Sequence, residues 1–229
     1  MKDLDTLEKK IGFVFKNKEL LQQAFIHRSY INENRSSKLT HNERLEFLGD
    51  AVLELIVTEY LFKKYPDHQE GDLTSYRAAL VNAVTLSKVA DSLGFNDFLM
   101  LSKGEAKDIG RARNSILADT MEAVIGAMYL DQGYDSAKEF ISKNIFVLID
   151  SIVAKGSWMD SKSKFQELAQ EKVSITPSYE VMFEEGPDHD KQFTMGAHLG
   201  ERMVGKGKGN SKQNAEQKAA EDALKRLKW

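Results

Sequence analysis

Cysteine is absent from the 229-residue chain, which excludes a disulfide framework and a thiolate-ligated metal site and fits a reducing compartment. Long apolar runs are absent too: no stretch approaches the roughly 18 residues that a membrane-spanning helix requires. The opening residues, MKDLDTLEKKIGFVF, carry charge from the second position onward and hold no apolar signal-peptide core. The expectation is a soluble, cytoplasmic chain with no membrane partner. Proline is scarce, at three residues, and 41% of the chain is hydrophobic, as in ordinary globular packing, with length enough for one large or two modest domains. Neither sign of charge dominates. The net charge of −3 decides nothing about nucleic acid, because binding depends on where basic residues cluster.

What is present changes character once along the chain. From Met1 to about Ile152, apolar residues recur at three- and four-residue spacing in ELLQQAFIHRSY, RLEFLGDAVLELIVTEYLFKKY, LTSYRAALVNAVTLSKVADSLG, SILADTMEAVIGAMYLDQG and SAKEFISKNIFVLIDSIVA, the rhythm of amphipathic helices. Around AKGSW, residues 154–158, that rhythm lapses into a short Gly/Ser segment read as a linker. Beyond it a helical stretch, SKFQELAQEK, precedes two alternating runs: Tyr179, Val181 and Phe183, then Phe193, Met195, Ala197 and Leu199. Such alternation marks half-buried strands. A third strand, ERMVGKG, leads into a last helix with Ala215, Ala219, Ala223 and Leu227 on one side. The order is α-β-β-β-α.

Within the helical part, NERLEFLGDAVLELI at 42–56 places Glu43, Glu46, Asp50 and Glu54 within about 80° on a 3.6-residue wheel. Thr40 and Glu43 have capping-box spacing, and Tyr65-Pro66-Asp67 ends the helix. Leu45, Leu48, Val52, Leu55 and Ile56 fall on the opposite side, expected to be core, with Phe47 and Val57 flanking the stripe. A solvated face is the bland alternative. Against it, no basic residue stands three or four positions from Glu46, Asp50 or Glu54 to form the usual helix pair. Gly49 costs about 1 kcal/mol relative to Ala in a helix interior, which suits a close approach there.

A second helix repeats the arrangement. In SILADTMEAVIGAMYL, Asp119 and Glu122 are i,i+3 neighbours, with Ser115 and Gly126 on the same side and Leu117, Met121, Val124 and Met128 on the core side. If the two helices face each other, Glu46, Asp50, Asp119 and Glu122 gather in one cleft, where bare carboxylates repel and lose hydration. A cation resolves this. Oxygen-only ligands favour a hard ion, and Mg²⁺ takes a few carboxylates together with waters and phosphate oxygens, as phosphodiester hydrolysis needs. Periodicity alone does not say which helices meet.

NERLEFLGDAVLEL resembles the signature of the ribonuclease III family, and ADTMEAVIGAMYLDQG is similar to its second acidic motif; HRSYINE and EGDLT also fit. The resemblance implies that Glu46, Asp50, Asp119 and Glu122 are the catalytic and metal-holding carboxylates, with Mg²⁺ as cofactor and Mn²⁺ able to substitute. Glu43 and Glu70 match accessory acids lining the family's cutting cleft, although Glu43 could be only a helix cap and Glu70 only a loop acid. Arg111 and Arg113 could meet RNA phosphates or be loop charges. His41 reads as a helix-entry residue rather than a general base; His27 and His68 carry no assignment.

Residues 158–229 hold twelve Lys/Arg and twelve Asp/Glu, but from Arg202 to Trp229 there are eight basic residues against three acidic. Glycines at 205, 207 and 209 leave Lys206 and Lys208 on what reads as an open hairpin-to-helix turn, and Lys212 opens the last helix, where the N-terminus also favours phosphate. Together with GPDH at 186–189 and GKGNSKQNAEQKAAEDAL at 207–224, the α-β-β-β-α order resembles the double-stranded RNA-binding domain. That resemblance implies RNA contacts from Gln166 and Gln170 on the first helix, from His189 in the strand 1–2 loop, and from Lys206, Lys208 and Lys212. Such domains read A-form shape and 2′-hydroxyls rather than sequence. Lys212-Gln213 departs from the usual basic pair.

The expected architecture is multidomain: an all-α endonuclease domain at 1–153, a linker at 154–158, and a small α+β RNA-binding domain at 159–229. The resemblance implies a homodimer formed by the endonuclease domain, cutting double-stranded RNA to 5′-phosphate and 3′-hydroxyl ends with short 3′ overhangs in rRNA and mRNA maturation and decay. Two alternatives stand: a non-catalytic double-stranded RNA-binding protein with a relic acid cluster, and an unrelated carboxylate-metal helical enzyme acting on a small diphosphate.

Overall fold

The computed structural model describes residues 3–108, 110–154, 158–187 and 191–229. The chain divides into two compact units, Met1–Trp158 and Met159–Trp229. No helix among the described residues is long and apolar enough to cross a membrane. Of the expected linker, residues 155–157 lie outside the described residues. Trp158, assigned to that linker, instead packs edge-on against Tyr76 of the first unit, ring centroids 4.9 Å apart.

The first unit is helical: α1 (Leu4–Ile11), α2 (Lys18–Ala24), α3 (Arg28–Glu33), α4 (Glu43–Lys64), α5 (Glu70–Val81), α6 (Ala83–Ser92), α7 (Arg111–Gln132), α8 (Tyr134–Asn144) and α9 (Ile149–Ala154). α7 runs through its centre. From Ile116 to Met128 every α7 residue except Asp119 and Glu122 is buried, so this helix is apolar nearly all round rather than on one stripe, as a core helix is. α4 lies against it, burying Leu45, Val52, Leu53, Ile56, Val57 and Leu61. Leu55, expected in the core, is 59% exposed and Phe47 is 81% exposed. Leu53 takes the core place because α7 sits nearer that side of the wheel than periodicity alone indicated.

The capping box at Thr40 does not form. α4 starts at Glu43, after Asn42, which makes no side-chain cap. Asn42 is instead tied to the preceding segment: its side-chain amide donates to the Ala24 carbonyl at 3.1 Å and its backbone N–H to the Ile26 carbonyl at 2.9 Å. Burial of Asn42 at the α2 end delays the helix start. The far end falls where Tyr65-Pro66-Asp67 placed it, at Lys64.

The second unit runs α10 (Ser161–Val173), β1 (Ser178–Glu185), β2 (Gln192–Leu199), β3 (Arg202–Gly209) and α11 (Lys212–Leu227), with an antiparallel sheet of order β1-β2-β3. Phe165, Met195, Ala197, Val204, Ala215, Ala219, Ala220, Ala223 and Leu224 form its core. β1 departs from the expected alternation, since its register to β2 shifts between Val181 and Phe183 and both are exposed. A bulge of this kind interrupts the two-residue period.

The glycines of β3 have a different purpose from the one expected. They face α11: a Cβ on Gly205 would stand 2.2 Å from the Ala219 carbonyl oxygen, and one on Gly207 2.2 Å from the Ala219 nitrogen. Sheet and helix touch backbone to backbone there. Lys206 and Lys208 therefore lie in a paired strand, opposite Gly196 and Thr194, and not on an open turn. Strand alternation turns their side chains to the exposed side of the sheet.

Candidate active site

Two glycines set how closely α4 approaches α7. A Cβ on Gly49 would lie 1.8 Å from the Glu122 carbonyl oxygen, and one on Gly126 would lie 2.2 Å from the Leu45 carbonyl oxygen. This crossing occurs at the level of the acids. Glu46 from α4 and Asp119 and Glu122 from α7 each offer a carboxylate oxygen, all within 4.8 Å of one another, and all three side chains are half-buried. Asp50 is exposed and stands outside that group, yet its charge reaches both Glu46 and Glu122.

The electrostatics record an uncompensated cluster. Burial, followed by the charges of Asp50, Asp119, Glu46 and Glu54, pushes the Glu122 carboxyl up to about 8. Burial raises Glu46 as well, reinforced by Asp119, Glu43 and Asp50. Asp119 is raised by burial and partly relieved by His27. Desolvated like charges hold protons until a positive charge replaces them. Three converging carboxylates with no thiolate or imidazole donor among them form a donor set suited to a hard divalent ion.

His27 is the residue that periodicity missed. Its ring nitrogen caps α3 by accepting from the Ser29 N–H at 3.3 Å, and its imidazole feels Glu105, Asp119 and Glu43. Burial outweighs these acids and lowers its pKa. The electrostatic influence of Asp119 joins segments some ninety positions apart, and no local pattern announces it. Arg113, placed before the second acidic helix, belongs to its first turn and donates to the carbonyls of Asp108 and Glu105 at 3.0 and 2.9 Å. It braces the preceding loop.

Glu43 is engaged with Arg28 at 3.2 Å and approaches His41 at 3.8 Å. Glu70 is not a loop residue and is not among the three converging acids: it opens α5, where Thr74 Oγ1 donates to it at 3.4 Å. It lines a cavity of about 410 Å³ with Thr58, Leu61, Phe62, His68 and Arg77. Thr58 is twelve residues beyond Glu46, about 18 Å along the helix axis.

In the second unit Gln166 and Gln170 stand exposed on one face of α10, and Lys206, Lys208 and Lys212 are exposed at the β3–α11 end. Lys208 lies 3.9 Å from Glu185, and Lys212 lies 3.7 Å from Glu184 and over the Phe193 ring. Surface pairs of this kind are weak, so a phosphate can displace them. His189 lies outside the described residues.

Comparison with known proteins assigns both units. A model described as Ribonuclease-III-like matches residues 17–149, and one described as a double-stranded RNA binding motif matches residues 161–227. Ribonuclease 3 of Geobacillus sp. (strain WCH70) is 49% identical over 97% of this chain and 90% of its own length. The Enterococcus faecalis ribonuclease 3 is 48% identical over 96% of each chain. The crystallised nuclease domain of ribonuclease III from Campylobacter jejuni superposes with a TM-score of 0.57 at 44% identity, covering 62% of this chain and 96% of that one. A nuclease match over the unit that holds the acids, and relatives of nearly the same length throughout, have one meaning: the chain belongs to the ribonuclease III family of endoribonucleases.

Proposed function

We propose that this protein is a Mg²⁺-dependent endoribonuclease that hydrolyses double-stranded RNA to 5′-phosphate and 3′-hydroxyl ends with short 3′ overhangs, acting in the cytoplasm on rRNA and mRNA precursors. The observation that carries this reading is the convergence of Glu46, Asp119 and Glu122 within 4.8 Å in a chain that also matches a double-stranded RNA binding motif. Glu46, Asp119 and Glu122 hold the ion, and Asp50, at the exposed edge of the cluster, completes the acid set. A divalent ion there supplies Lewis acidity to a phosphodiester oxygen and activates the attacking water. The carboxylates would fix its position, held close to one another by the α4–α7 crossing. End-labelled duplex RNA incubated with and without Mg²⁺, followed by analysis of the product ends, tests the reading. Cleavage undiminished in EDTA, or 3′-phosphate products, would refute it.

In the second unit, Gln166 and Gln170 meet a minor groove, with His189 at a second one, and Lys206, Lys208 and Lys212 meet phosphates. Affinity built on phosphate contacts falls steeply with salt. A chain ending at Trp158, which keeps the Trp158–Tyr76 contact, should fold and cut at low ionic strength. It should lose most of its activity by about 0.15 M salt, where the full chain remains active. Matching activity of the two chains across a salt titration would remove the second unit from the source of affinity.

The active form is a homodimer. Phe47, Leu55 and Phe62 are 81%, 59% and 71% exposed along one stripe of α4, an apolar face that solvent does not favour. Phe47 and Phe62 lie symmetrically about the midpoint between Glu54 and Leu55. A twofold antiparallel pairing of α4 with its copy therefore sets each Phe47 against the other chain's Phe62 cavity. The Campylobacter nuclease domain is itself described as having a region involved in dimer formation. Such pairing brings Glu70, which lines that cavity, beside the acids of the second chain, and this gives Glu70 and Glu43 their place in the cleft. Phe47→Glu should convert the sedimenting species from dimer to monomer. A wild-type chain that already sediments as an active monomer would sink the pairing.

A further inference from the structure

The exposed side of the three-stranded sheet carries a group of donor atoms that RNA cleavage does not use. Gly196 is in the central strand, paired with Glu180 on β1 and Lys206 on β3. A Cβ on Gly196 would stand 2.9 Å from His198 Nε2 and 3.2 Å from each of the Met182 and Met203 Sδ atoms. No two of these three atoms can then be more than about 6.4 Å apart. Each strand contributes one. Met182 comes from the β1 bulge, left over where Val181 pairs with Met195 and Phe183 with Thr194. Met203 stands on β3 opposite His198 on β2.

We propose that Met182, Met203 and His198 form a binding site for a soft monovalent cation, Cu(I) or Ag(I), seated over Gly196. Apolar packing into such a gap would bring methyl or methylene carbons closest. Here the three nearest heavy atoms from outside the local chain are two thioether sulfurs and an imidazole nitrogen, all lone-pair donors. Soft thioethers select Cu(I) over the hard ions suited to carboxylates, so this site and the acid cluster do not compete for one metal. Thioether side chains are flexible enough to close the remaining distance. Both sulfurs are reachable: Met182 is 46% and Met203 41% exposed, and they are the two exposed methionines among the described residues. The Glu180 carboxylate, 3.9 Å from His198 Nε2, supplies a counter-charge, which the exposed Lys206 across the strand opposes in part. With no cysteine in the chain, no thiolate outcompetes these donors. A bound ion would clip β1 to β3 across β2.

The test uses the full-length protein labelled at its methionine methyl carbons and titrated with Ag(I), alongside Cu(I) binding measured against a chromogenic chelator. One tight equivalent is expected, with only the Met182 and Met203 methyl signals moving, and an equimolar Zn²⁺ addition should not displace it. Met182→Leu combined with Met203→Leu, a swap that keeps volume, should weaken Cu(I) binding at least a hundredfold while duplex RNA binding is retained. Absence of a tight equivalent, methyl shifts spread over the other methionines, or unchanged affinity in the double variant would overturn the site. The wild-type titration reads the outcome whether or not the variant folds.

Discussion

Glu122→Gln should abolish cleavage of duplex RNA, by more than about 10²-fold, since even outer-shell groups of a metal site are worth 10–100-fold. Duplex binding should survive, because the basic residues of the second unit are untouched. The same change should raise the stability of the metal-free protein. The Glu122 carboxyl titrates near 8 when folded, against an ordinary value of 4.5, mainly through burial and then through Asp50, Asp119, Glu46 and Glu54. Between those two values the folded chain holds a proton that the unfolded chain has released. This group's contribution to stability is therefore fully present below about pH 4.5 and is lost as pH rises through about 8. Glutamine carries no such loss. In EDTA at pH 8.5 the variant should melt above wild type, with the gap closing towards pH 4.5. Adding Mg²⁺ should reverse the order, because ligand binding raises the melting point of the chain that binds it. Near wild-type cleavage by the variant would show that the ion sits elsewhere. A variant melting below wild type in EDTA at pH 8.5 would show that crowded charge is not what Glu122 contributes.

Gly49→Ala should cost about 3 kcal/mol of stability, the upper range for inserting a methyl into a packed interior. Helix propensity alone argues the opposite, a gain of about 1 kcal/mol. Overlap decides the sign, since the added carbon would lie 1.8 Å from the Glu122 carbonyl oxygen and 2.6 Å from its carbon. Those are backbone atoms, and no rotamer change relieves them. To make room α7 must move away from α4, carrying Glu122 from Glu46, so Mg²⁺-dependent cleavage should fall further than the fraction unfolded explains. Gly71→Ala is the control. Nothing lies within 4 Å of a Cβ there, and that variant should be neutral or slightly more stable in a urea titration. Equal unfolding midpoints for the two alanine variants would mean that α4 and α7 are less tightly apposed than this crossing implies.

Chain order and periodicity were enough to reveal the two-part organisation, the α-β-β-β-α order of the second unit, the end of α4 at Tyr65-Pro66-Asp67, and the acids of α4 and α7. A helix projects residues onto faces whatever packs against it, and alternation does the same for Met195 and Ala197 in β2, so these features survive in a one-dimensional reading. The close approach at Gly49 was legible for a related reason: a glycine in a helix interior is a local cost that needs a tertiary return. Tertiary structure alone decided the rest. Leu53 entered the core while Phe47 and Leu55 stayed outside, because burial on α4 depends on the direction from which α7 arrives. Asp50 separated from the three converging acids for the same reason. His27 came to feel the charge of Asp119 because an interaction across some ninety positions is set by packing and leaves no periodic trace. Lys206 and Lys208 proved to be strand residues because the glycines that alternate with them let the sheet meet α11 backbone to backbone, a requirement that exists only once the helix is in place. Sequence by itself determined which chemistry each face could offer; the approach of one element to another decided which of those groups meet, since distance between carboxylates, and with it their charge state and their capacity to hold an ion, is a property of packing.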